Sequence, residues 1–262
     1  MIKSKKILND LRKDILSVSF IQQKGHIPSA FSILEIIYAI YKKHYRENDI
    51  FLLSKGHGCL ALYAVFKHMG YITDDEFYSF SEYESILGGH PHRSKHEKIY
   101  GSTGSLGHGL PICVGTSLAK KLNAEDGYVF CLVGDGECNE GTTWESAILA
   151  KKFNLSNLIC IVDNNNSQTR SLPTTKIEEK FRSFGWEVIE VESGHNVDHI
   201  NQAIDKVKIS KINSPKCIVC KTVKGKGIKE MEENMFAWHH GPPNKNQLEL
   251  FLKELCSEKN NR

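Results

Sequence analysis

Two hydrophobic periods alternate along this chain, one of about 3.6 residues and one of two, the signatures of helix and strand. The amphipathic stretch 4–21 predicts a first helix, and Phe31 to Tyr45 a second, with Pro28-Ser29 just ahead as a start signal. Phe51-Leu-Leu53 predicts a short strand that runs into Ser54-Lys-Gly-His-Gly58. A helix follows from Cys59 to Met69, stopped by Gly70, and Thr73-Asp-Asp-Glu76 has the form of a capping box. Residues 85–108 are rich in Gly, His and Ser and lack a period, which predicts a long loop; such loops in compact domains are often functional. Gly109 to Leu122 is a helix, Asp126-Gly127 a turn, and Tyr128-Val-Phe-Cys-Leu-Val133 an apolar strand. A helix over Thr142 to Phe153 leads to a second apolar strand, Leu158-Ile-Cys-Ile-Val162. Beyond them come a strand at Trp186 to Val191, a helix at Val197 to Lys208 and a core strand at Pro215 to Lys221. A second long polar loop spans Val223 to Pro243, and Gln247 to Cys256 closes with a helix. Alternation of strand and helix predicts an α/β fold, a doubly wound, mostly parallel sheet flanked by helices. Without linker, repeat or low-complexity segment, residues 1–262 are expected to form a single domain.

Composition adds limits. The chain is 40% apolar and 25% charged, ordinary for a globular protein. No apolar run reaches the length of a membrane span, and the basic Met1-Ile-Lys-Ser-Lys-Lys6 is not followed by a signal-peptide core. A cytoplasmic location and no membrane partner are expected. The net charge of +3, with lysines spread along the chain, gives no footprint for nucleic acid. Of the eight cysteines, most lie within apolar runs, where a free thiol packs as a small hydrophobe. Cys217-Ile-Val-Cys220 has redox-motif spacing, but strand alternation places its thiols on opposite faces, which favours a structural role over zinc or redox chemistry.

Chemistry concentrates at strand ends. Gly134-Asp135-Gly136 follows one apolar strand, and Asn165, in Asp163-Asn-Asn-Asn166, follows the next. In a parallel sheet those ends are neighbours at the carboxyl edge, where ligands bind. An Asp carboxylate, an Asn carbonyl and a main-chain carbonyl suit Mg²⁺ or Ca²⁺, with phosphate oxygens completing the shell. Glu137 and Glu140 follow Asp135 so closely that all three carboxylates could be metal ligands, or Glu140 could instead reach a cofactor or another subunit. Five Gly-His pairs occur, at His26, His57, His90, His108 and His195, four of them in predicted loops or at strand ends within the first 108 residues. Glycine lets backbone approach a ligand closely and imidazole bonds hydroxyls and phosphates. Thr103-Gly-Ser-Leu-Gly-His-Gly109 opens a helix, the position of an anion loop or of a plain tight turn.

Taken together, Ser54-Lys-Gly-His57, Gly89-His-Pro91, Ser102 to Gly109, Gly134-Asp-Gly-Glu137, Glu140-Gly141, Trp144-Glu145, Val162-Asp-Asn-Asn165 and Lys221-Thr-Val-Lys-Gly-Lys-Gly227 resemble transketolase, in family order over almost the whole chain. The resemblance implies the diphosphate domain of the thiamine diphosphate-binding fold, with thiamine diphosphate and Mg²⁺ (or Ca²⁺) as cofactors. It implies Asp135, Asn165 and the Ser167 carbonyl as metal ligands. His57 and the Gly136 backbone would hold the diphosphate and Gly104 and Leu106 would lie near the thiazolium, with Ser105, Gly134, Asp135, Glu137, Glu140 and Asn165 completing the cofactor-binding set. His26, His90 and one of His239 and His240 would line the substrate channel as catalytic groups. Glu140 resembles the residue that links two active sites across the family's dimer. Two positions depart from the pattern: His108 stands where many members have Gln, and Ile27 separates His26 from Pro28.

The implied reaction moves a two-carbon ketol unit from a ketose or ketose phosphate to an aldose acceptor. In the family the pyrimidine-binding and C-terminal domains follow the diphosphate domain and carry the Glu that activates the cofactor. With the sequence ending at Arg262, these are expected on a partner chain, a C-terminal transketolase subunit in an α2β2 heterotetramer. Two other readings compete. One is the α subunit of a 2-oxo acid dehydrogenase, against which Glu140 to Glu145 and Lys221 to Gly227 weigh; the other is a non-catalytic binding protein of the same fold, against which the intact Asp135/Asn165 pair weighs.

Overall fold

The sheet that carries the site follows from five short apolar runs. The computed structural model describes residues 2–168, 172–238 and 241–257. Strands β1 Ile50–Leu53, β2 Val129–Gly134, β3 Leu158–Asn164, β4 Glu187–Val191 and β5 Lys216–Lys221 pair in the order β1-β2-β3-β5-β4. Every pairing is parallel, for example Cys131 opposite Cys160 and Cys160 opposite Cys217. Parallel strands covered on both faces read as continuous apolar runs because neither face meets water.

The period of two divides those runs between two cores. Phe51, Phe130, Leu132, Ile159, Ile161 and Ile218 face one side. There they pack with α1 Ile2–Gln22, α2 Ile27–Ala39, α3 Cys59–His68, α8 Val197–Ile209 and α10 Lys245–Ser257. Leu52, Cys131, Val133, Cys160, Val162 and Val219 face the other, against α5 Gly109–Leu122, α6 Gly141–Lys152 and α7 Ile177–Ser183. The short helices α4 Asp74–Tyr78 and α9 Lys229–Glu233 lie in the connections. Cys217 and Cys220 belong to opposite cores, as alternation requires. All eight cysteines are free, and burial pushes the thiols of Cys131, Cys138, Cys217 and Cys220 up, which keeps them protonated and inert.

Right-handed crossovers explain the location of the site. The chain steps from β2 to β3 and on to edge strand β4 over one face, then reverses to insert β5 over the other. The connections that leave β3 and β5 therefore part to opposite sides, opening a crevice above their carboxyl ends.

Three elements differ from their predicted form. Helix α2 begins at Ile27, with Pro28 inside its first turn, where a missing N–H is harmless. It ends at Ala39 and passes into a π-helical turn over Ile40–His44. Helix α7 went unpredicted: it has seven residues, of which only Ile177 and Phe181 are buried, too few to show a period. Helix α9 interrupts the loop predicted over Val223 to Pro243. The capping box is present as predicted, with Glu76 N donating to Thr73 Oγ1 and Thr73 N to Glu76 Oε2. No described helix is long and apolar enough to cross a membrane.

Candidate active site

A cavity of about 320 Å³ opens above the carboxyl ends of β1, β2, β3 and β5. Asp135 and Asn165 stand on its floor, both buried. They converge on one residue: Ser167 N donates to Asp135 Oδ2 at 2.8 Å and to Asn165 Oδ1 at 3.0 Å. Ser167 Oγ and Gly136 N both donate to Asp135 Oδ1 at 2.8 Å. Asn166 permits the tight return, since it adopts the left-handed region that Asn tolerates (φ 57°).

The orientation of the Asn165 amide is set from below. Its Nδ2 donates to Ser32 Oγ at 2.9 Å and to Asp163 Oδ2 at 3.0 Å, so the carbonyl oxygen is the atom turned toward Asp135. Asp163 is the hub of this layer. Wholly buried, it also accepts from Ser32 Oγ at 2.7 Å, from Thr222 Oγ1, and from Lys55 Nζ at 2.5 Å. These bonds tie α2, β3 and the segments after β1 and β5 to one carboxylate.

Glu137 braces the opposite wall. Its Oε1 accepts from Ser54 Oγ at 2.5 Å and from Gly107 N at 2.8 Å, and its Oε2 from Gly134 N at 2.9 Å. Burial raises its pKa, and those three donors work against the rise. This carboxylate, a candidate metal ligand from sequence, docks the 103–109 loop onto the ends of β1 and β2. Gly109 completes the joint. Its N donates to Ser54 Oγ at 3.1 Å, and a β-carbon there would stand 2.2 Å from that oxygen.

Charges of both signs meet around the cavity. Lys55 and Lys224 are both buried and both line it. Burial first, then the positive charge of Lys55, holds the Lys224 ammonium below the usual lysine range. His57 is held down to about 2 by burial and by Lys55, with His26, Lys224 and His90 adding to the effect, so its imidazole is neutral. Asp135 shifts the other way: burial raises its carboxyl, with the Ser167 bonds opposing. Two confined ammoniums beside a disfavoured carboxylate fit a diphosphate bridged to a divalent cation, which would bring anionic oxygens to the lysines and a cation to the carboxylate. No three His, Cys, Asp or Glu side chains among the described residues form a metal cluster. The donor set here is one carboxylate with neutral oxygens, which leaves the remaining coordination to phosphate oxygens and water.

The other predicted residues fall in distinct places. His26, His57 and His90 meet at the cavity, the first two rings 5.5 Å apart edge to face. Gly104 and Leu106 line it, while Ser105, exposed at the turn between them, lies outside the lining. Glu140 is also exposed and outside the lining, its stem packed against Gly107. His108 is exposed and bonds the Leu106 carbonyl through Nδ1 at 3.0 Å. His239 and His240 lie outside the described residues. Lys55, Lys224 and Asp163 were given no role from sequence, although all three sit inside quoted motifs. A lysine flanked by glycine at a strand's carboxyl end was the available signal for the two cations.

Residues 4–258 match the family described as transketolase, thiamine diphosphate binding domain. The chain belongs to the transketolase family. An apulose-4-phosphate transketolase subunit from Actinobacillus succinogenes is 33% identical over 248 residues, which cover 89% of this chain and 88% of that relative. Human transketolase is 33% identical over 265 residues, 95% of this chain but 41% of the human protein. Among solved structures, transketolase from Leishmania mexicana overlays all of this chain with a TM-score of 0.86 at 26% identity. The chain spans 42% of that transketolase. It corresponds to the N-terminal, thiamine diphosphate-binding part of transketolase, an enzyme of two-carbon ketol transfer, and its fold and cofactor class are those of the family.

Proposed function

We propose that this chain is the N-terminal subunit of a two-subunit transketolase. It moves a two-carbon ketol unit from a ketose or ketose phosphate to an aldose acceptor, with thiamine diphosphate and Mg²⁺ (or Ca²⁺). The observation that carries this is the convergence of Asp135 and Asn165 on Ser167 beside two buried lysines, in a chain that matches the Actinobacillus succinogenes subunit over most of both lengths. When bound, the cofactor supplies the electron sink for cleaving and forming the carbon–carbon bond. The protein's part is to bind, orient and move protons. Asp135, Asn165 and the Ser167 carbonyl would hold the metal, Lys55 and Lys224 would hold the diphosphate, and neutral His57 would offer its N–H to the same anion. Gly104 and Leu106, which line the cavity, would lie against the ring. His26 and His90 at the cavity mouth bond substrate hydroxyls and pass protons between them and water. The same role falls to one of His239 and His240.

The partner in this reading is a C-terminal transketolase subunit with the pyrimidine domain and the activating Glu, assembled as α2β2. Glu140, which is exposed, is assigned the contact that joins the two sites. Purified chain with thiamine diphosphate, Mg²⁺ and a ketose donor is expected to show no turnover, and addition of the partner to restore it. Clear turnover by the chain alone sinks the two-subunit reading; acceptance of a 2-oxo acid in place of a ketose favours the dehydrogenase alternative.

Lys224→Met separates binding from stability. In the assembled enzyme it weakens thiamine diphosphate binding by about 10- to 100-fold, the range for a lost charge-assisted hydrogen bond. Melting temperature holds or rises, because a buried cation held near Lys55 is gone. Its lowered pKa marks a charge that folding disfavours, a penalty complete below the folded value and relieved as pH rises from there to the unfolded value. Titration of the cofactor by calorimetry, with a melting curve, checks both.

A further inference from the structure

Gly194-His195, the fifth Gly-His pair, lies away from the cavity, on a cleft of about 530 Å³ that Arg12 and Glu35 also line. Its bonds nevertheless run to the cavity's edge. His195 Nε2 accepts from Val223 N at 2.8 Å, so the ring proton sits on Nδ1 and is donated to Glu35 Oε2 at 3.0 Å. The other oxygen of Glu35 is held by Arg12 Nη2 at 2.6 Å, and Arg12 Nε donates to the Lys226 carbonyl at 2.8 Å. Burial alone would raise Glu35, but Arg12 and His195 outweigh it and hold the carboxyl at about 2, so this anion persists at any working pH. One buried carboxylate thus grips the main chain at residues 223 and 226, on either side of Lys224.

Two further tethers close the frame. Gly225 N donates to the Pro28 carbonyl at 3.0 Å, and Gly227 N to Glu232 Oε1 at 2.8 Å. Gly194 is required for the approach: its N donates to the Lys221 carbonyl at 2.8 Å, and a β-carbon there would meet Thr222 and that carbonyl at 2.6 and 2.8 Å. The frame has work to do, because Lys224 must be held buried near a second ammonium. A loosely held loop would let that side chain swing to water, where its charge is solvated.

We propose that His195, Glu35 and Arg12 are positioning residues, a clamp that fixes the 223–226 main chain so that Lys224 stays in the cavity against the charge of Lys55. The diphosphate site is thereby assembled before its ligand arrives, and the ordering cost is met on folding rather than on binding. The function of the clamp rests on the reading of the cavity as a diphosphate site; its mechanics do not.

Acetylation of lysines in the full chain without cofactor, followed by peptide mass spectrometry, tests it. His195→Ala is expected to raise the acetylation rate of Lys224 about tenfold, the loss of one charge-assisted hydrogen bond. Lys216, buried in the core beside Glu187, serves as control and keeps its rate. His195→Gln, whose amide both donates and accepts, brings the Lys224 rate back toward that of the unaltered chain. Glu35→Gln repeats the increase; if that variant does not fold, His195→Ala decides. An unchanged Lys224 rate in His195→Ala overturns the clamp, as does a parallel rise at Lys216, which would mean general loosening. A thiamine diphosphate titration of the assembled enzyme is read separately. Lys224 release without any cofactor binding by the unaltered enzyme would leave the clamp standing and the functional reading lost.

Discussion

Replacement of Asp135 by Asn leaves the fold standing and removes metal-dependent thiamine diphosphate binding from the assembled enzyme. The two halves of this result have one cause. Asp135 is buried, and burial raises its carboxyl above the usual carboxylate range. For an acid with a raised folded pKa, the penalty on folding is absent below the unfolded value and complete once pH exceeds the folded one. At neutral pH the carboxylate is therefore kept at some expense to stability, and Asn at this position costs little. A melting temperature within a few degrees of the unaltered chain is expected, since loss of one favourable hydrogen bond of about 1 kcal/mol is offset by relief of the buried charge. Binding follows the opposite course. Loss of a partner to a metal ligand reduces affinity about 10- to 100-fold, and loss of an anionic ligand itself is expected to exceed about 100-fold. Calorimetry of thiamine diphosphate binding with Mg²⁺ at several concentrations checks it. A variant that binds the cofactor with unaltered metal dependence removes Asp135 from the metal site.

What was legible in the sequence follows from which forces act locally. The strands could be read because both faces of the sheet are covered, so Val129 to Val133 and Leu158 to Val162 are apolar without a break. Their carboxyl ends, and with them Asp135 and Asn165, followed from parallel topology alone. The fates of Glu137 and Asp163 did not. Whether a carboxylate braces or binds depends on donors distant in sequence, Ser54 and Gly107 for the one, Ser32, Lys55 and Thr222 for the other. Lys55 and Lys224 were passed over for a related reason. A lysine in a loop is normally solvated, and only the closure of the β1 and β5 ends over one crevice takes these two out of water.

The histidines divide along the same line. His26, His57 and His90 come together because three separate connections end at one edge of the sheet. Their shared surroundings then decide the state of His57: burial and the charge of Lys55 keep its imidazole neutral, with one N–H to donate as a hydrogen bond but no acidic proton to transfer. In the proposed reaction proton movement is assigned to His26 and His90, and His57 is left a neutral bonding role. His195 has the same Gly-His form and none of that environment. Its neighbours are a carboxylate and a main-chain N–H, which make it a structural tie.

Asp163→Ala should be the most destabilising single change at this site. Asp163 has no exposed surface and accepts from Ser32, Lys55, Thr222 and Asn165, so its loss takes an acceptor from four donors, of which Asn165 keeps Ser32 Oγ and Ser32 keeps Thr222 Oγ1. The gravest of these is Lys55, whose side chain is only 3% exposed and has Lys224 for company. Breaking a buried ion pair by removal of one partner costs about 3–5 kcal/mol. In a domain of this size each kcal/mol moves the midpoint by about 2–4 °C, so the melting temperature should fall by roughly 6–20 °C. Pairing Asp163→Ala with Lys55→Met removes both buried charges, and most of the lost stability should return. The double-mutant cycle isolates the coupling between the two residues; a double variant as unstable as Asp163→Ala alone would assign the loss to the hydroxyl and amide bonds instead. Cofactor gives an independent reading of the same charge. Once Asp163 is gone, Lys55 has lost its buried anion, and the diphosphate is the group that can replace it. Saturating thiamine diphosphate and Mg²⁺ should therefore raise the melting temperature of assembled Asp163→Ala by more than that of the unaltered enzyme, provided Asn165, freed from its tie to Asp163, still turns its oxygen toward the metal.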